Sequence, residues 1–145
     1  MIPDEDYEKI LDIMPICCVD VVVVNEGKYL LVKRNNEPAK KRWWIPGGRL
    51  FKNESIQDCA LRKAKEEAGL ECTYIKTLGL YETIFERGRY DKPVHSVNVV
   101  CLLESKGVNE VQLDKNHLEF IWNEKIDESL NKDIKRFLED AGFEK

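Results

Sequence analysis

The most informative part of this sequence is residues 47–70, which read GGRLFKNESIQDCALRKAKEEAGL. Two adjacent glycines open the segment, and glycine permits a close backbone approach that a Cβ would block. Ser55, followed three residues later by Asp58, has the spacing of a helix N-terminal cap. Apolar residues then recur with helical spacing, and Gly69 is placed to end the helix as a C-terminal cap. The segment therefore predicts a glycine turn that leads into a helix between Ser55 and Gly69.

The end of this predicted helix carries acidic residues where they are unfavourable. Glu66 and Glu67 lie in the last turn, where the helix dipole is negative and each carboxylate costs roughly 0.3 to 1 kcal/mol. Arg62 lies four residues before Glu66 and can form an ion pair with it. A divalent cation is a second way to compensate the charge, because Mg²⁺ is bound by one or two protein carboxylates together with substrate phosphates. The residues alone leave both explanations open.

The spacing of these residues resembles the Nudix box. The box spans 23 residues here, and its matching positions are Gly48, Glu54, Arg62, Glu66, Glu67, Gly69 and Leu70. The chain therefore resembles the Nudix hydrolases, which implies an α/β fold, the Nudix three-layer α/β/α sandwich with a mixed β-sheet. It also implies hydrolysis of a nucleoside diphosphate linked to another group. Lys63 departs from the box, since the family has a glutamate directly after the arginine, and we expect its ammonium to pair with a helix glutamate and reduce the number of bound cations.

Segments outside the box resemble one branch, the GDP-mannose mannosyl hydrolases, in which a reduced box is known. The similar segments are residues 19–21, 29–39, 43–49 and 114–117, followed by 120–122. This resemblance implies Mg²⁺-dependent hydrolysis of GDP-mannose to GDP and mannose, by attack of water at the anomeric carbon. The nucleotide sugar is then the small-molecule partner.

The same resemblance implies a metal site for Mg²⁺ or Mn²⁺. Glu67 would be the principal ligand, with Glu66 beside it on the helix and the backbone carbonyl of Gly47 from the glycine turn. Asn116 stands where the branch has a glutamine side chain on the metal. Its amide is shorter, so binding directly, through water or not at all stays open.

The general base of the branch matches His117, one of two histidines in the chain. Histidine as a residue type titrates near pH ~6.5, so its neutral form is available to take a proton from water near neutral pH. The other histidine, His95, lies in a predicted strand and has no matched role. His117 is therefore the expected catalytic base.

Five further residues match groups that contact the substrate. Arg34 and Arg49 match arginines on the diphosphate, and Arg62 matches an arginine close to the leaving group. Asp20 matches an acid on the first strand that contacts the substrate. Tyr7 matches an aromatic residue that helps to hold the guanine. Guanidinium groups suit this task because they stabilise the charge that develops as the diphosphate departs.

Two other functions remain open at this point. A conventional Nudix diphosphatase would attack phosphorus, and the complete Glu66-Glu67 pair is closer to ordinary Nudix boxes than to the mannosyl hydrolases. A Nudix-fold binding or sensing module would result if Lys63 had silenced hydrolysis, although Arg34, Arg49, Glu67 and His117 argue against it. The products formed from a nucleotide sugar distinguish the three.

Hydrophobic patterns in the rest of the chain predict strands on both sides of the box helix. The predicted strands are residues 16–24, 28–33, 72–81, 83–86, 94–104 and 118–122, and the other predicted helices are residues 6–14 and 128–141. Strands before, between and after two main helices indicate a mixed sheet with helices on both faces. A linker or repeat is not evident, so residues 1–145 are expected to form a single domain.

Composition excludes several classes of protein. The 145 residues carry a net charge of -4, which argues against a general nucleic-acid binder, although residues 33–42 are locally basic and suggest an anion. The longest apolar stretch, residues 16–24, is too short to cross a membrane, and the acidic start is unlike a secretory signal. Five cysteines without a Cys-x-x-Cys pair indicate a reducing compartment. We therefore expect a cytoplasmic protein, and the family resemblance alone suggests a homodimer.

Overall fold

The computed structural model describes residues 2–36, 40–106 and 110–145. Within these ranges the chain folds into a seven-stranded sheet with helices packed against it. The helices are α1 (Asp4–Ile13), α2 (Ile56–Ala68) and α3 (Lys132–Asp140), and the strands are β1 (Ile16–Asn25), β2 (Lys28–Arg34), β3 (Trp43–Trp44), β4 (Gly47–Arg49), β5 (Cys72–Phe85), β6 (Val94–Ser105) and β7 (His117–Asn123). Part of the predicted basic segment, residues 37–39, lies outside the described residues.

The sheet is mixed, as the sequence predicts. Its main path runs β3, β2, β1, β6, β5, with β7 paired to β2 and β4 paired to β1. β1 and β6 are parallel, and the other pairs are antiparallel. The register places Asp20 of β1 opposite Gly47 of β4, and Arg34 of β2 opposite His117 of β7. The central strands therefore bring together residues from four separate parts of the chain.

Two apolar cores cover the two faces of this sheet and make the three layers. On one face, Val19, Val21 and Val23 of β1 pack with the small residues of α2. On the other face, Val22 of β1 packs with the apolar side of α3, which includes Phe137. Because successive side chains of a strand point to opposite faces, β1 contributes to both cores at once. Helices on both faces confirm the predicted layer order.

Both ends of α2 are formed by the residues that the sequence predicts. The Ser55 hydroxyl accepts a hydrogen bond of 3.0 Å from the Asp58 backbone N–H, which caps the first turn. Gly69 has φ of 70°, a left-handed conformation that glycine adopts without a steric penalty. These caps fix where the helix begins and ends, and so fix the position of the glutamates in its last turn.

The structure departs clearly from the predicted elements in two places, and the other predicted boundaries shift by at most two residues. The two predicted strands at residues 72–81 and 83–86 form one strand, β5, because pairing with β6 continues through Glu82. Register shifts after Tyr74 and after Thr77 let this long strand stay paired with β6. The last helix begins at Lys132 rather than near residue 128, because Asn131 accepts a hydrogen bond from the Asp133 N–H and caps it there. The helix also ends at Asp140, one residue earlier than predicted.

The sequence predicts no membrane span, because its longest apolar stretch, residues 16–24, is too short to cross a bilayer. In the part of the chain that the structure describes, each helix is too short or too polar to span a bilayer.

Candidate active site

A cleft of about 1280 Å³ lies at the ends of the central strands. Its walls come from α1, from the β4 and α2 segment, from β5 and β6, and from the loop that precedes β7. All of the residues proposed for the site from sequence line it, with Tyr7 on α1 and Asn116 in the loop marking two of its walls. One cleft therefore contains every residue that the sequence analysis proposes for the site.

The floor of the cleft requires glycine at position 47. A Cβ added to Gly47 would lie 1.9 Å from Oδ1 of Asp20 and 2.8 Å from the Val19 carbonyl oxygen, which no side chain tolerates. The Gly47 N–H donates a hydrogen bond of 2.9 Å to Oε1 of Glu67. The backbone N–H of Gly47 is thus held directly beside the predicted metal carboxylate, and the Gly47 carbonyl stays the predicted metal ligand.

Glu67 is a buried carboxylate whose two oxygens are both engaged. It is 5% exposed, and its Oε2 lies 3.0 Å from the Lys63 ammonium. Its Oε1, which accepts from Gly47, also lies 3.8 Å from Nε2 of His117. The structure therefore brings Gly47, Glu67 and His117 together, as the sequence predicts, and adds Lys63 to the group.

His117 has an acidic partner that the sequence analysis did not identify. Nδ1 of His117 lies 2.7 Å from Oδ1 of Asp114, and the same oxygen accepts a hydrogen bond of 3.1 Å from the Asn116 N–H. Since the imidazole is buried, this pairing sets the direction of the ring. An aspartate three residues before the histidine is the one signal in the sequence that points to the pair.

The donor groups at this end of the cleft suit a divalent cation. Single ligand atoms of Glu67, Asp114 and His117 lie within 4.8 Å of one another. Carboxylate oxygens are the ligands that Mg²⁺ and Mn²⁺ prefer, and imidazole is compatible with Mn²⁺. Asn116, predicted as a further ligand, has its amide oxygen 2.6 Å from Nδ2 of Asn36, so that oxygen accepts a hydrogen bond from the segment that follows β2.

Lys63 contacts both helix glutamates. Its ammonium lies 3.4 Å from Glu66 Oε2 in addition to 3.0 Å from Glu67 Oε2. Burial alone would lower the pKa of Lys63, but the charges of Glu67 and Glu66 and their hydrogen bonds outweigh that effect and raise it. Lys63 is therefore a cation inside the site, and pairs with two carboxylates where we expected one.

Arg62 holds the box together. Its Nε and Nη2 donate hydrogen bonds of 2.6 and 2.9 Å to the two oxygens of Glu54, and Nη2 also donates to the Arg49 carbonyl at 3.1 Å. Nη1 lies 3.1 Å from both oxygens of Glu66. These hydrogen bonds hold the pKa of Glu54 at about 2, well below its usual range. The guanidinium is thus a brace between the turn and the helix, and its contact with a leaving group stays a prediction.

Asp20 is held by a buried network of polar side chains. Its Oδ2 accepts hydrogen bonds of 2.5 Å from the Tyr81 hydroxyl and 2.9 Å from the Asn98 amide. Ser96 then donates to Asn98 Oδ1 at 2.6 Å. Burial raises the pKa of Asp20 to about 6, although these hydrogen bonds and the charge of Arg34 lower it. The partners on β5 and β6 are absent from the sequence predictions, because only the long-range pairing of strands brings them to β1.

Arginine and aromatic side chains alternate along the wall near α1. The Arg49 guanidinium lies 5.2 Å from the Tyr7 ring centre and 4.9 Å from that of Phe51. The Arg89 guanidinium also lies 5.2 Å from the centre of the Tyr7 ring, and its Nη2 lies 3.2 Å from Oδ1 of Asp4. Contacts of this kind fix guanidinium groups in place. Arg49 and Tyr7, both predicted to contact substrate, therefore form one surface, and Arg89 extends it.

Comparison with known protein sequences gives a consistent picture. The sequence profile of the NUDIX domain matches residues 14–140. The low-salt glycan biosynthesis protein Agl8 of Haloferax volcanii is 42% identical over 85 residues, 59% of this chain and 54% of that protein. The ADP-ribose pyrophosphatase of Methanocaldococcus jannaschii is 31% identical over 93 residues, 64% of this chain and 53% of that protein. The chain spans about half the length of these relatives.

Solved structures share the architecture of the chain. The MutT NUDIX hydrolase of Burkholderia pseudomallei superposes with a TM-score of 0.73 at 22% identity, covering 88% of this chain and 98% of that one. The NUDIX domain of Shewanella oneidensis NrtR, complexed with ADP ribose, superposes with a TM-score of 0.59 at 23% identity, covering 83% and 82%. At these identities the likeness concerns the fold.

Proposed function

The chain belongs to the NUDIX family. We propose that it hydrolyses a nucleoside diphosphate sugar and that GDP-mannose is the preferred candidate substrate. The observation that carries the proposal is the position of His117. Its Nδ1 is paired with Asp114, its Nε2 lies 3.8 Å from Oε1 of Glu67, and the residue lines the cleft. In the proposed reaction His117, beside the predicted metal carboxylate, takes the proton from the water that attacks carbon.

Glu67 and the carbonyl of Gly47 are the proposed ligands of Mg²⁺ or Mn²⁺, with Glu66 and Asn116 as further candidates. When bound, the ion would supply positive charge next to the departing diphosphate. The burial of Glu67 and its hydrogen bond from Gly47 support this assignment, because they fix the carboxylate at one edge of the cleft. Asp114 also lies within 4.8 Å of the same group, but its Oδ1 is paired with Nδ1 of His117, so we assign it to positioning that ring.

The proposed reaction transfers one proton and exchanges one carbon–oxygen bond for another. The oxygen of water attacks the anomeric carbon while the bond from that carbon to the diphosphate oxygen breaks. Nε2 of His117 takes the proton from water, and the bonding pair leaves with the diphosphate. Arg34 and Arg49 bind the diphosphate and stabilise the charge that it gains. The products are a nucleoside diphosphate and the free sugar.

Contacts of the other box residues support attack at carbon over attack at phosphorus. Glu66, the residue that a conventional diphosphatase would use together with Glu67, is bound by Arg62 and Lys63. Asp20 and Tyr7 lie in the same cleft and are the proposed substrate contacts beyond the diphosphate. The likeness to a protein named for glycan biosynthesis also favours a sugar-linked substrate.

A second candidate function is a diphosphatase that acts on ADP-ribose or a related compound. The relative from Methanocaldococcus jannaschii is named for that activity, and the chain keeps both Glu66 and Glu67 in its box. In this reaction water attacks phosphorus, and the products are a nucleoside monophosphate and a sugar phosphate.

The experiment that separates the candidates is product analysis in ¹⁸O-labelled water. The purified protein is incubated with Mg²⁺ and either GDP-mannose or ADP-ribose, and the products are identified by mass spectrometry. Label on free mannose, with GDP unlabelled, is the expected result, and inversion at the anomeric carbon accompanies it. Label on a phosphate product would replace the first proposal by the second. Binding without turnover over a panel of nucleotide sugars would identify a binding module.

A further inference from the structure

Lys63 occupies a fixed position between the two glutamates at the end of α2. Its ammonium lies 3.0 Å from Glu67 and 3.4 Å from Glu66, and its side chain is 14% exposed. The methylene groups rest against Gly48, since a Cβ there would lie 2.6 Å from Cε of Lys63. The backbone of the glycine turn on one side and the carboxylates on the other thus hold this lysine in place.

The contacts of Lys63 differ from those of an ordinary surface lysine. Lys65, two residues later on the same helix, pairs with Glu71 at 2.8 Å, but its side chain is 60% exposed and faces away from the cleft lining. Exposed pairs of that kind contribute little to stability. Lys63 instead lines the cleft together with Glu66 and Glu67, so its positive charge lies in the cleft that we propose binds the substrate.

Lys63 pairs with carboxylate oxygens that would otherwise be available to a metal ion. One oxygen of Glu67 accepts from Gly47, and the other is paired with Lys63. Both oxygens of Glu66 lie against Arg62, and one of them also contacts Lys63. Together, the carboxylates of Glu54, Glu66 and Glu67 and the two basic groups that pair with them, Arg62 and Lys63, carry one net negative charge. That charge favours one divalent cation and disfavours a second.

We propose that the Lys63 ammonium is a built-in cation that stands in for a second metal ion and binds the diphosphate of the substrate. This inference deepens the proposed function and rests on a diphosphate compound being the ligand. An ammonium has three N–H donors, of which two are directed at Glu66 and Glu67, so a third can be offered to a phosphate oxygen in the cleft. Lysine acts on phosphate in this way as a compact point charge.

The first test counts metal ions in the absence of substrate. Mn²⁺ is titrated into the protein, and the free ion is measured by electron paramagnetic resonance. We expect one bound ion in the wild type and in Lys63→Met, and two in Lys63→Glu, because the new carboxylate adds a ligand and removes the competing charge. The same stoichiometry in Lys63→Glu and wild type would overturn the proposal.

The second test measures binding of inorganic pyrophosphate with metal removed by a chelator. Isothermal titration should show pyrophosphate bound roughly tenfold more weakly by Lys63→Met than by wild type, the cost of losing one charge-assisted hydrogen bond. Lys63→Arg keeps the charge and should bind close to wild type. Lys65→Met is the matched control on the same helix and should leave binding unchanged. Wild-type affinity in Lys63→Met would also overturn the proposal.

Folding of the variants is monitored by circular dichroism, since Lys63→Met leaves the buried Glu67 with one partner fewer. If that variant does not fold, the comparison of Lys63→Gln with Lys63→Arg replaces it, with the same expected loss in the uncharged variant. Neither test uses turnover. A chain that fails to hydrolyse nucleotide sugars but binds pyrophosphate through Lys63 would therefore contradict the proposed function and uphold this inference.

Discussion

Nδ1 of His117 lies 2.7 Å from Oδ1 of Asp114, while Nε2 of the same ring lies 3.8 Å from Oε1 of Glu67. The ring is buried between the two carboxylates. When Nδ1 carries the proton and donates a hydrogen bond to Asp114, Nε2 is left as the acceptor nitrogen, on the side of the ring that faces Glu67. This pairing is the structural reason to assign His117 as a base, because a carboxylate on Nδ1 both orients the ring and selects the tautomer.

Replacing Asp114 by asparagine should lower activity without preventing folding. The amide oxygen can still accept the Asn116 N–H, so the turn is kept, but the charge that orients His117 is lost. We expect kcat to fall by roughly 10 to 10², the usual effect of a partner that orients a functional histidine, with KM changed much less. Steady-state kinetics on the substrate found by product analysis measures both constants.

The matched control for Asp114→Asn is Asp127→Asn. Asp127 also caps a turn, accepting from the Ser129 N–H at 2.8 Å, but it lies outside the cleft. The Asp127→Asn variant should therefore leave kcat unchanged. An Asp114→Asn variant that raises KM and keeps kcat would show that Asp114 acts on substrate binding rather than through His117.

Replacement of His117, the proposed base, should have a larger effect than replacement of Asp114. His117→Gln keeps a polar side chain in the buried position but cannot take a proton from water. We expect kcat to fall by about 10² to 10⁴, the contribution typical of general-base catalysis. The double variant with Asp114→Asn should be no slower than His117→Gln alone, since Asp114 acts through the histidine. Fully additive losses would contradict that dependence.

Glu67 should control metal binding. Glu67→Gln keeps the side-chain volume and an oxygen that can accept from the Gly47 N–H, but it removes the charge that a divalent cation requires. We expect Mn²⁺ affinity to fall by at least roughly tenfold and activity to fall by orders of magnitude, with the fold retained. Calorimetric titration with Mn²⁺ measures the affinity directly. Wild-type affinity in Glu67→Gln would exclude Glu67 as the principal ligand.

The local features of the box helix were predictable because each depends on neighbours in sequence. Ser55 caps the first turn and Gly69 ends the last one, as the spacing indicates. The mixed sheet followed from the order of strands and helices. Such signals are short range, so a single sequence contains them in full.

The partners of the proposed site residues were not predictable in the same way. Asp20 meets Tyr81 and Asn98 only because β1, β6 and β5 are adjacent in the sheet, at sequence separations of 61 and 78 residues. The Asp114 pairing depends on the conformation of the loop before β7. The roles given to Arg34, Arg49 and Tyr7 rested on family resemblance and stay predictions, as do the homodimer and the cytoplasmic location.

The Glu54–Arg62 pair should make stability depend on acidity. Glu54 has a pKa of about 2 in the folded chain against an ordinary value of 4.5, so its contribution is fully present above pH 4.5 and is lost as the pH falls toward 2. We expect Glu54→Gln to lower the free energy of unfolding on the order of 2 kcal/mol at pH 7, and by less at pH 3. Urea unfolding at both values measures the difference.

Glu71→Gln provides the control for the acid effect. Glu71 pairs with Lys65 near the end of the same helix, but both side chains are exposed. Its removal should change the free energy of unfolding little at either pH. A loss as large as that of Glu54→Gln would mean that helix charge in general, and not the partly buried Glu54–Arg62 pair, sets the acid response.

Asp20 should have the opposite effect on stability. Its pKa is raised by burial to about 6 from 3.8, so the folded chain holds a proton that the unfolded chain has released between these values. Stability therefore falls as the pH rises through that window, and at neutral pH the folded state includes the cost of a buried charge. The hydrogen bonds from Tyr81 and Asn98 reduce that cost without removing it.

We therefore expect Asp20→Asn to be more stable than wild type at pH 8, on the order of 1 to 3 kcal/mol, and to match it at pH 4, where Asp20 is protonated in the folded chain. The amide oxygen can still accept from Tyr81 and Asn98. Activity should fall, because the carboxylate lines the cleft as a proposed substrate contact. Tyr81→Phe removes a donor to Asp20 and should destabilise the chain most at pH 8. Urea unfolding across pH 4 to 8 measures both variants, and an Asp20→Asn variant that loses stability at pH 8 would show that the carboxylate is stabilised in place.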